Sequence, residues 1–290
     1  MSIGLGINVF SVHQLLSENY YGTLEQLSEM GYKHLELIGF NMKNFSRYVD
    51  TIPSQELKQR LQQYNLEVVA THEGTMPGAD LTSHSWDEVM RYYEVINCRR
   101  IVLPSAWIKE REDTLRLAEQ LNAVGKNLHD SGFQFYLHNH AHEFARTGDS
   151  TLFDLLLEQT DPQYLKIEFD MAWAIRAGLE PLTILQKLGS RCDLLHQKDI
   201  SKSVGDNLNI LQAAERNANG QPLEGFQLYQ QFSLPTDYVD LGEGMFDFSI
   251  YDAIKQMNHV QYVFVENEGQ SDDKMQNVRR DYHYLHQILT

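Results

Sequence analysis

Short apolar runs alternate with amphipathic stretches along the whole chain. The first run is Ile3–Phe10, and the helical pattern after it places Leu24, Leu27 and Met30 on one face before stopping at Gly31. Run and helix then repeat as His34–Ile38 with Ser54–Tyr64, Glu67–His72 with Trp86–Val95, and Arg100–Pro104 with Asp113–His129. Ser131-Gly132 breaks that last helix. The rhythm resumes with Phe133–His138 and Thr151–Gln159, then Leu165–Asp170 and Pro181–Leu188. Asp193–His196 is a seventh run, and the stretch from Ile200 to Gly244 shows no clear period. Phe248–Met257 reads as helix, Tyr262–Glu266 as the eighth run, and Val278–Leu289 as the closing helix.

Eight β-then-α units with no linker predict an α/β fold with a parallel sheet. At 290 residues the content is that of a single (β/α)8 TIM barrel over residues 1–290, with a long loop or insertion at about 201–245. An open doubly wound sheet would call for a Gly-rich phosphate turn after the first strand, and Asn8-Val9-Phe10-Ser11 is not one.

Composition narrows the partners. A formal charge of −16 argues against nucleic acid or an anionic membrane, because phosphate contacts need a basic face. No apolar run approaches the roughly 18 residues that a membrane span needs, and no basic-then-apolar leader is visible at the start. Cys98 and Cys192 are far apart and outside any CxxC spacing, which fits a reducing, cytoplasmic setting and removes cysteine-based zinc sites.

In a barrel the C-terminal ends of the strands converge on one mouth, where reactive groups belong. From the fifth strand onward those ends carry Glu143, Asp170, His196 and Glu266. One such carboxylate is most often a helix cap or a surface ion pair. Three carboxylates and an imidazole in equivalent places would crowd negative charge unless a cation lay between them. The set suits a hard or borderline divalent ion: Mn²⁺ first, with Mg²⁺, Co²⁺ or Zn²⁺ as alternatives.

Five motifs then carry a resemblance: Gly31-Tyr32-Lys33-His34-Leu35-Glu36-Leu37; His138-Asn139-His140-Ala141-His142-Glu143-Phe144; Glu168-Phe169-Asp170-Met171-Ala172-Trp173-Ala174; His196-Gln197-Lys198-Asp199; and Val265-Glu266. With Leu241-Gly242-Glu243-Gly244 beside them, they make the sequence similar to the xylose isomerase-like TIM-barrel superfamily, in its sugar phosphate isomerase/epimerase branch. The resemblance implies Glu143, Asp170, His196 and Glu266 as metal ligands, with Glu143 and Glu266 also as the catalytic pair. One would remove a proton beside a carbonyl and the other return it through a metal-stabilised enediolate, since such a C–H is a feeble acid until a nearby cation lowers the oxyanion's energy.

His140 resembles a substrate-binding position of the branch; by position His72, Lys198 and Trp173 are further candidates for substrate contact, against an ion pair for Lys198 and a core place for Trp173, with His138 and His142 in supporting places. The expected partner is a small carbohydrate, and a homo-oligomer is left open. Strand four ends Leu103-Pro104-Ser105 without the histidine that the DNA-repair relatives of this fold would need. Lys198-Asp199 leans toward members acting on inososes and keto-glycosides, so a lyase is the alternative to an isomerase or epimerase. A non-catalytic sugar-binding subunit is the third reading. No Gly-rich phosphate cradle is visible, which favours an uncharged sugar or its keto-derivative.

Overall fold

A computed structural model describes residues 2–44, 46–75, 79–217 and 225–290. Its centre is a closed parallel barrel built from β1 (Gly4–Asn8), β2 (His34–Ile38), β3 (Glu67–His72), β4 (Arg100–Leu103), β5 (Gln134–His138), β6 (Leu165–Asp170), β7 (Cys192–Gln197) and β8 (Tyr262–Val265). Each strand pairs with its neighbours in sequence, and β8 closes onto β1 through Gly4–Tyr262 to Ile7–Val265. The principal helices outside are α1 (Tyr20–Met30), α2 (Ser54–Tyr64), α3 (Trp86–Val95), α4 (Arg111–Asp130), α5 (Leu152–Gln159), α6 (Pro181–Leu188), α7 (Ile250–Ile254) and α8 (Lys274–Leu289). The expected α/β barrel is therefore present.

Local chemistry sets several boundaries. Gly31 ends α1 at φ 115°, a conformation that only glycine adopts cheaply. Thr151 accepts from the Asp154 N–H and so caps α5 instead of belonging to it. Asp273 does the same for α8, which starts four residues before the expected Val278. Among its described residues the aperiodic stretch after β7 includes the α-helices Ile210–Asn217 and Phe226–Phe232; residues 218–224 of the expected insertion lie outside the described residues.

The two-residue period of the strands sorts side chains into two cores. Outward positions such as Phe135, Leu137, Ile167, Phe169, Leu195 and Val263 pack under the helices. Inward positions change character along the strand. Deep in the barrel, Val102, Tyr136, Leu194 and Phe264 form a small apolar plug. A Cβ on Gly6 would lie 2.6 Å from the Phe264 ring, so β1 needs glycine opposite that aromatic layer. One step toward the C-terminal ends the inward residues turn polar: Asn8, Glu36, His72, His138, Glu168 and His196, all buried.

Candidate functional site

The buried polar layer is tied together by close contacts. Glu36 Oε2 accepts from Asn8 Nδ2 at 2.7 Å and lies 2.6 Å from His196 Nε2 and 3.3 Å from His72 Nε2. Glu168 Oε2 lies 2.8 Å from His72 Nε2, 3.2 Å from His196 Nε2 and 3.2 Å from His138 Nδ1. Two carboxylates at this depth are tolerable only with positive charge beside them. Burial alone would lower the His196 pKa, but Glu168, Glu36 and Glu266 outweigh it and hold the imidazolium well above its ordinary range. His72 is raised to about 9, its burial likewise overcome by Glu36 and Glu168. His138 goes the other way: burial and the neighbouring His196 push it well below, so it stays neutral with a lone pair to give.

Above this layer a second set opens toward the solvent. His196 presents its other nitrogen, Nδ1, to Glu266 Oε2 at 2.8 Å, and His138 Nε2 is 3.9 Å from Asp170 Oδ2. The two imidazoles thus stand between a lower carboxylate pair and an upper one. Asp170 caps the short helix Met171–Arg176, its Oδ1 accepting from the Trp173 N–H at 2.9 Å. Its Oδ2 is buried without a hydrogen-bond partner. Asn139 clamps β5 to β6 by accepting from the Asp170 N–H and donating to the Asp170 carbonyl. Lys198 Nζ lies 2.7 Å from Glu266 Oε2 and 3.3 Å from Asp170 Oδ2, pairs with Glu268, and sits 5.0 Å over the Trp173 ring.

Donor atoms of His138, Asp170, His196 and Glu266 fall within 4.8 Å of one another, and so do those of His72, His138, Glu168 and His196. The second group is cross-linked through Glu168 Oε2, which His72, His138 and His196 all approach, while Glu168 Oε1 is buried without a partner. The first opens on the cavity through Glu266, its Asp170 Oδ2 has no hydrogen bond and the Lys198 ammonium at 3.3 Å, and two imidazoles with two carboxylates suit a divalent ion of the Mn²⁺ to Zn²⁺ series. A metal fits there.

Three of the four expected ligands, Asp170, His196 and Glu266, come together, and Glu143 does not. It sits on the single turn His142–Phe144 past β5, where its Oε2 accepts from the His140 N–H at 2.9 Å and lies 3.4 Å from His142 Nδ1. From the fifth strand it is His138 that falls in this donor group, being the last inward residue of β5, whereas Glu143 lies beyond it on the loop. His138 was expected only in a supporting place. His142 is spent structurally: its Nε2–H donates to the Ala106 carbonyl at 2.8 Å, and its Nδ1 accepts from the Tyr229 hydroxyl at 2.7 Å.

His72, His140, Lys198 and Trp173, the expected substrate contacts, all line one cavity of about 500 Å³ over the cluster, together with His138 and Glu266. Glu168 and Glu268 were missed. Glu168 precedes Asp170 by two in a strand, so inward alternation could have revealed it. Glu268 follows Glu266 by two, but β8 ends at Val265 and the strand period no longer applies.

A closed barrel with a metal-type donor set at the C-terminal ends of its strands defines a class, and comparison supplies the family. The chain belongs to the xylose isomerase-like TIM-barrel family, whose pattern matches residues 24–288. Among curated proteins it is 32% identical over 127 residues to inosose dehydratase 2 of Bacillus cereus, a match covering 41% of each chain. It is 28% identical over 159 residues to the inosose dehydratase of Lacticaseibacillus casei, covering 53% of this chain and 46% of that one. The matched segments thus span less than half of these relatives. Among solved structures, a sugar phosphate isomerase/epimerase from Parabacteroides distasonis superimposes with TM-score 0.73 at 20% identity, covering 98% of this chain and 94% of that one. The 3-keto-D-glucoside 4-epimerase from E. coli does so with TM-score 0.67 at 16% identity, covering 98% and 99%. At these identities the structural matches speak for the fold alone. No helix among the described residues is long and apolar enough to cross a membrane.

Proposed function

We propose that the protein is a divalent-metal-dependent isomerase or epimerase of a sugar or keto-sugar, working by proton transfer beside a carbonyl. The observation that carries this is the clustering of His138, Asp170, His196 and Glu266 beside Lys198 in one cavity. These four residues would hold the metal, and Mn²⁺ in a cytoplasmic setting is the first candidate. When bound, the ion would polarise a substrate carbonyl and favour the negative charge that develops on its oxygen. Lys198, at the cavity wall, is placed to donate a hydrogen bond to that oxygen. Glu266 lines the cavity and is held ionised, its burial outweighed by Lys198 and His196, so it is the residue to accept the proton. A ligating carboxylate is a weak base, so positioning must supply much of the rate. His72, His140 and Trp173 orient the sugar. Glu143 is kept as the candidate to return the proton: its Oε2 accepts from the His140 N–H, and its Oε1 is buried without a partner.

A lyase acting on an inosose or a keto-glycoside is the second reading, favoured by the curated relatives named inosose dehydratase. Both begin with loss of the same proton. The test is deuterium incorporation from D2O with MnCl2 added, across ketoses, inososes and 3-keto-glucosides. Exchange without elimination supports the first reading, and loss of water or aglycone the second. No exchange and no elimination across the panel would overturn both, and Glu266→Gln should abolish whichever is seen.

A further inference from the structure

The cavity above the cluster is chemically divided. Its floor presents His72, His138, Lys198, Glu266 and Glu268, whereas Phe10, Phe40, Met42, Pro104, Trp107 and Phe226 line it from other elements. At about 500 Å³ it lies in the range of roughly 300–1,000 Å³ typical of pockets for drug-sized ligands, more than one sugar ring needs.

Exposure sharpens the point. Among the described residues the exposed large apolar side chains are Met42, Phe226, Leu234 and Met245, and the first two line this cavity. Phe226, 63% exposed, belongs to the helix Phe226–Phe232, whose Leu228 and Phe232 are buried in the core. The helix turns a second face to the cavity: Phe226, Tyr229 and Gln230, with Ser233 just past its end, at i, i+3, i+4 and i+7. Trp107 is fixed beside it, stacked on His142 with ring centres 4.9 Å apart and lying 3.6 Å from where a Cβ on Gly225 would sit. Leaving Phe226 and Met42 in water gains nothing for the fold. Covered by an apolar group they would lose that exposure.

We propose that the outer half of the cavity binds an aromatic group carried on the sugar ring, so that the substrate class is an aryl-substituted sugar derivative rather than a free monosaccharide. The proposal rests on the sugar reading above and adds the second half of the ligand. A second sugar ring would find hydroxyl partners at Thr75, Ser105, Gln230 and Ser233, but would leave Phe10, Phe40, Met42 and Phe226 facing its polar edge.

The test is titration calorimetry of the full chain with methyl β-glucoside, phenyl β-glucoside and cellobiose as probes, MnCl2 present throughout. Burying one phenyl ring predicts roughly ten- to a hundred-fold tighter binding of the phenyl than of the methyl glucoside. Phe226→Ser and, on a different element, Met42→Ser should each bring phenyl-glucoside affinity toward that of the methyl glucoside. Thermal melting identifies a variant that has failed to fold. Equal affinities, tighter binding of cellobiose, or no binding of the phenyl glucoside would overturn the proposal. The two readings fail separately. Deuterium exchange on free ketoses without aryl preference removes the subsite and keeps the enzyme; aryl-selective binding without exchange or elimination on the panel keeps the subsite and removes the enzyme.

Discussion

His196 uses both ring nitrogens, and that makes Glu36 a decisive residue. With Nε2 held 2.6 Å from the Glu36 carboxylate, the proton belongs on that side once Nδ1 is needed as a ligand beside Glu266. Glu36→Gln keeps the shape and removes the charge, and it should weaken Mn²⁺ or Zn²⁺ binding by about 10- to 100-fold in calorimetry. An unchanged affinity would mean that Glu36 only fills space. The ligand set itself is checked by metal content after dialysis: His138→Ala should lose the ion and Glu143→Gln should retain it, and the reverse pattern would restore Glu143 as a ligand. The grouping of Asp170, His196 and Glu266 was readable because each sits at or just past the end of an apolar run. Between His138 and Glu143 the sequence cannot choose, because a strand's last inward residue and the loop beyond it look alike, both polar and both followed by a helix signal. Glu168, flanked by Ile167 and Phe169, read as strand interior.

At the level of elements, the barrel was legible because each strand is an apolar run closed by turn chemistry. The segment after β7 was not. Its helix Phe226–Phe232 packs one face on the core and turns another to the cavity, which blurs a single hydrophobic stripe. What fixes the far end of that segment is Asp199, whose carboxylate accepts from the N–H groups of Ile200, Gly242, Gly244 and Phe246 at 2.8–3.0 Å. A Cβ on Gly244 would fall 2.2 Å from Asp199 Oδ1, so the glycine lets the turn close on the carboxylate. In the sequence, Lys198-Asp199 looked like a substrate signature, and the structure divides it: the lysine faces the cavity while the aspartate holds a loop. Asp199→Ala leaves four donors without their acceptor and should cost about 2–4 kcal/mol, seen as a lower urea midpoint. A shift under about 0.5 kcal/mol would show that water replaces the carboxylate freely.

The whole molecule carries a large negative charge, and part of its acid inventory is buried where ionisation is costly. Glu73, just past β3, is raised to about 7 by burial, despite a hydrogen bond from the Tyr93 hydroxyl to its Oε1 at 2.9 Å; its Oε2 has no partner. Asp281 on α8 is raised to about 7 for the same first reason. A carboxyl with a folded pKa above its unfolded value binds its proton more tightly when folded. Its contribution to stability is therefore complete below the unfolded pKa of 4.5 for Glu73, falls as the pH rises, and is gone above about 7. For Glu73 that loss is on the order of 3 kcal/mol. Glu36 and Glu266, held below their ordinary range by His72, His196 and Lys198 against the opposing effect of burial, act in the opposite sense. They protect the fold at neutral pH and cease to do so only in acid. Glu73→Gln mimics the protonated form, so it should change the urea midpoint little at about pH 4.5 and raise it at about pH 8, flattening the decline between them. Equal effects at both pH values would place the neutral-range loss of stability elsewhere, with Asp281 as the next group to replace.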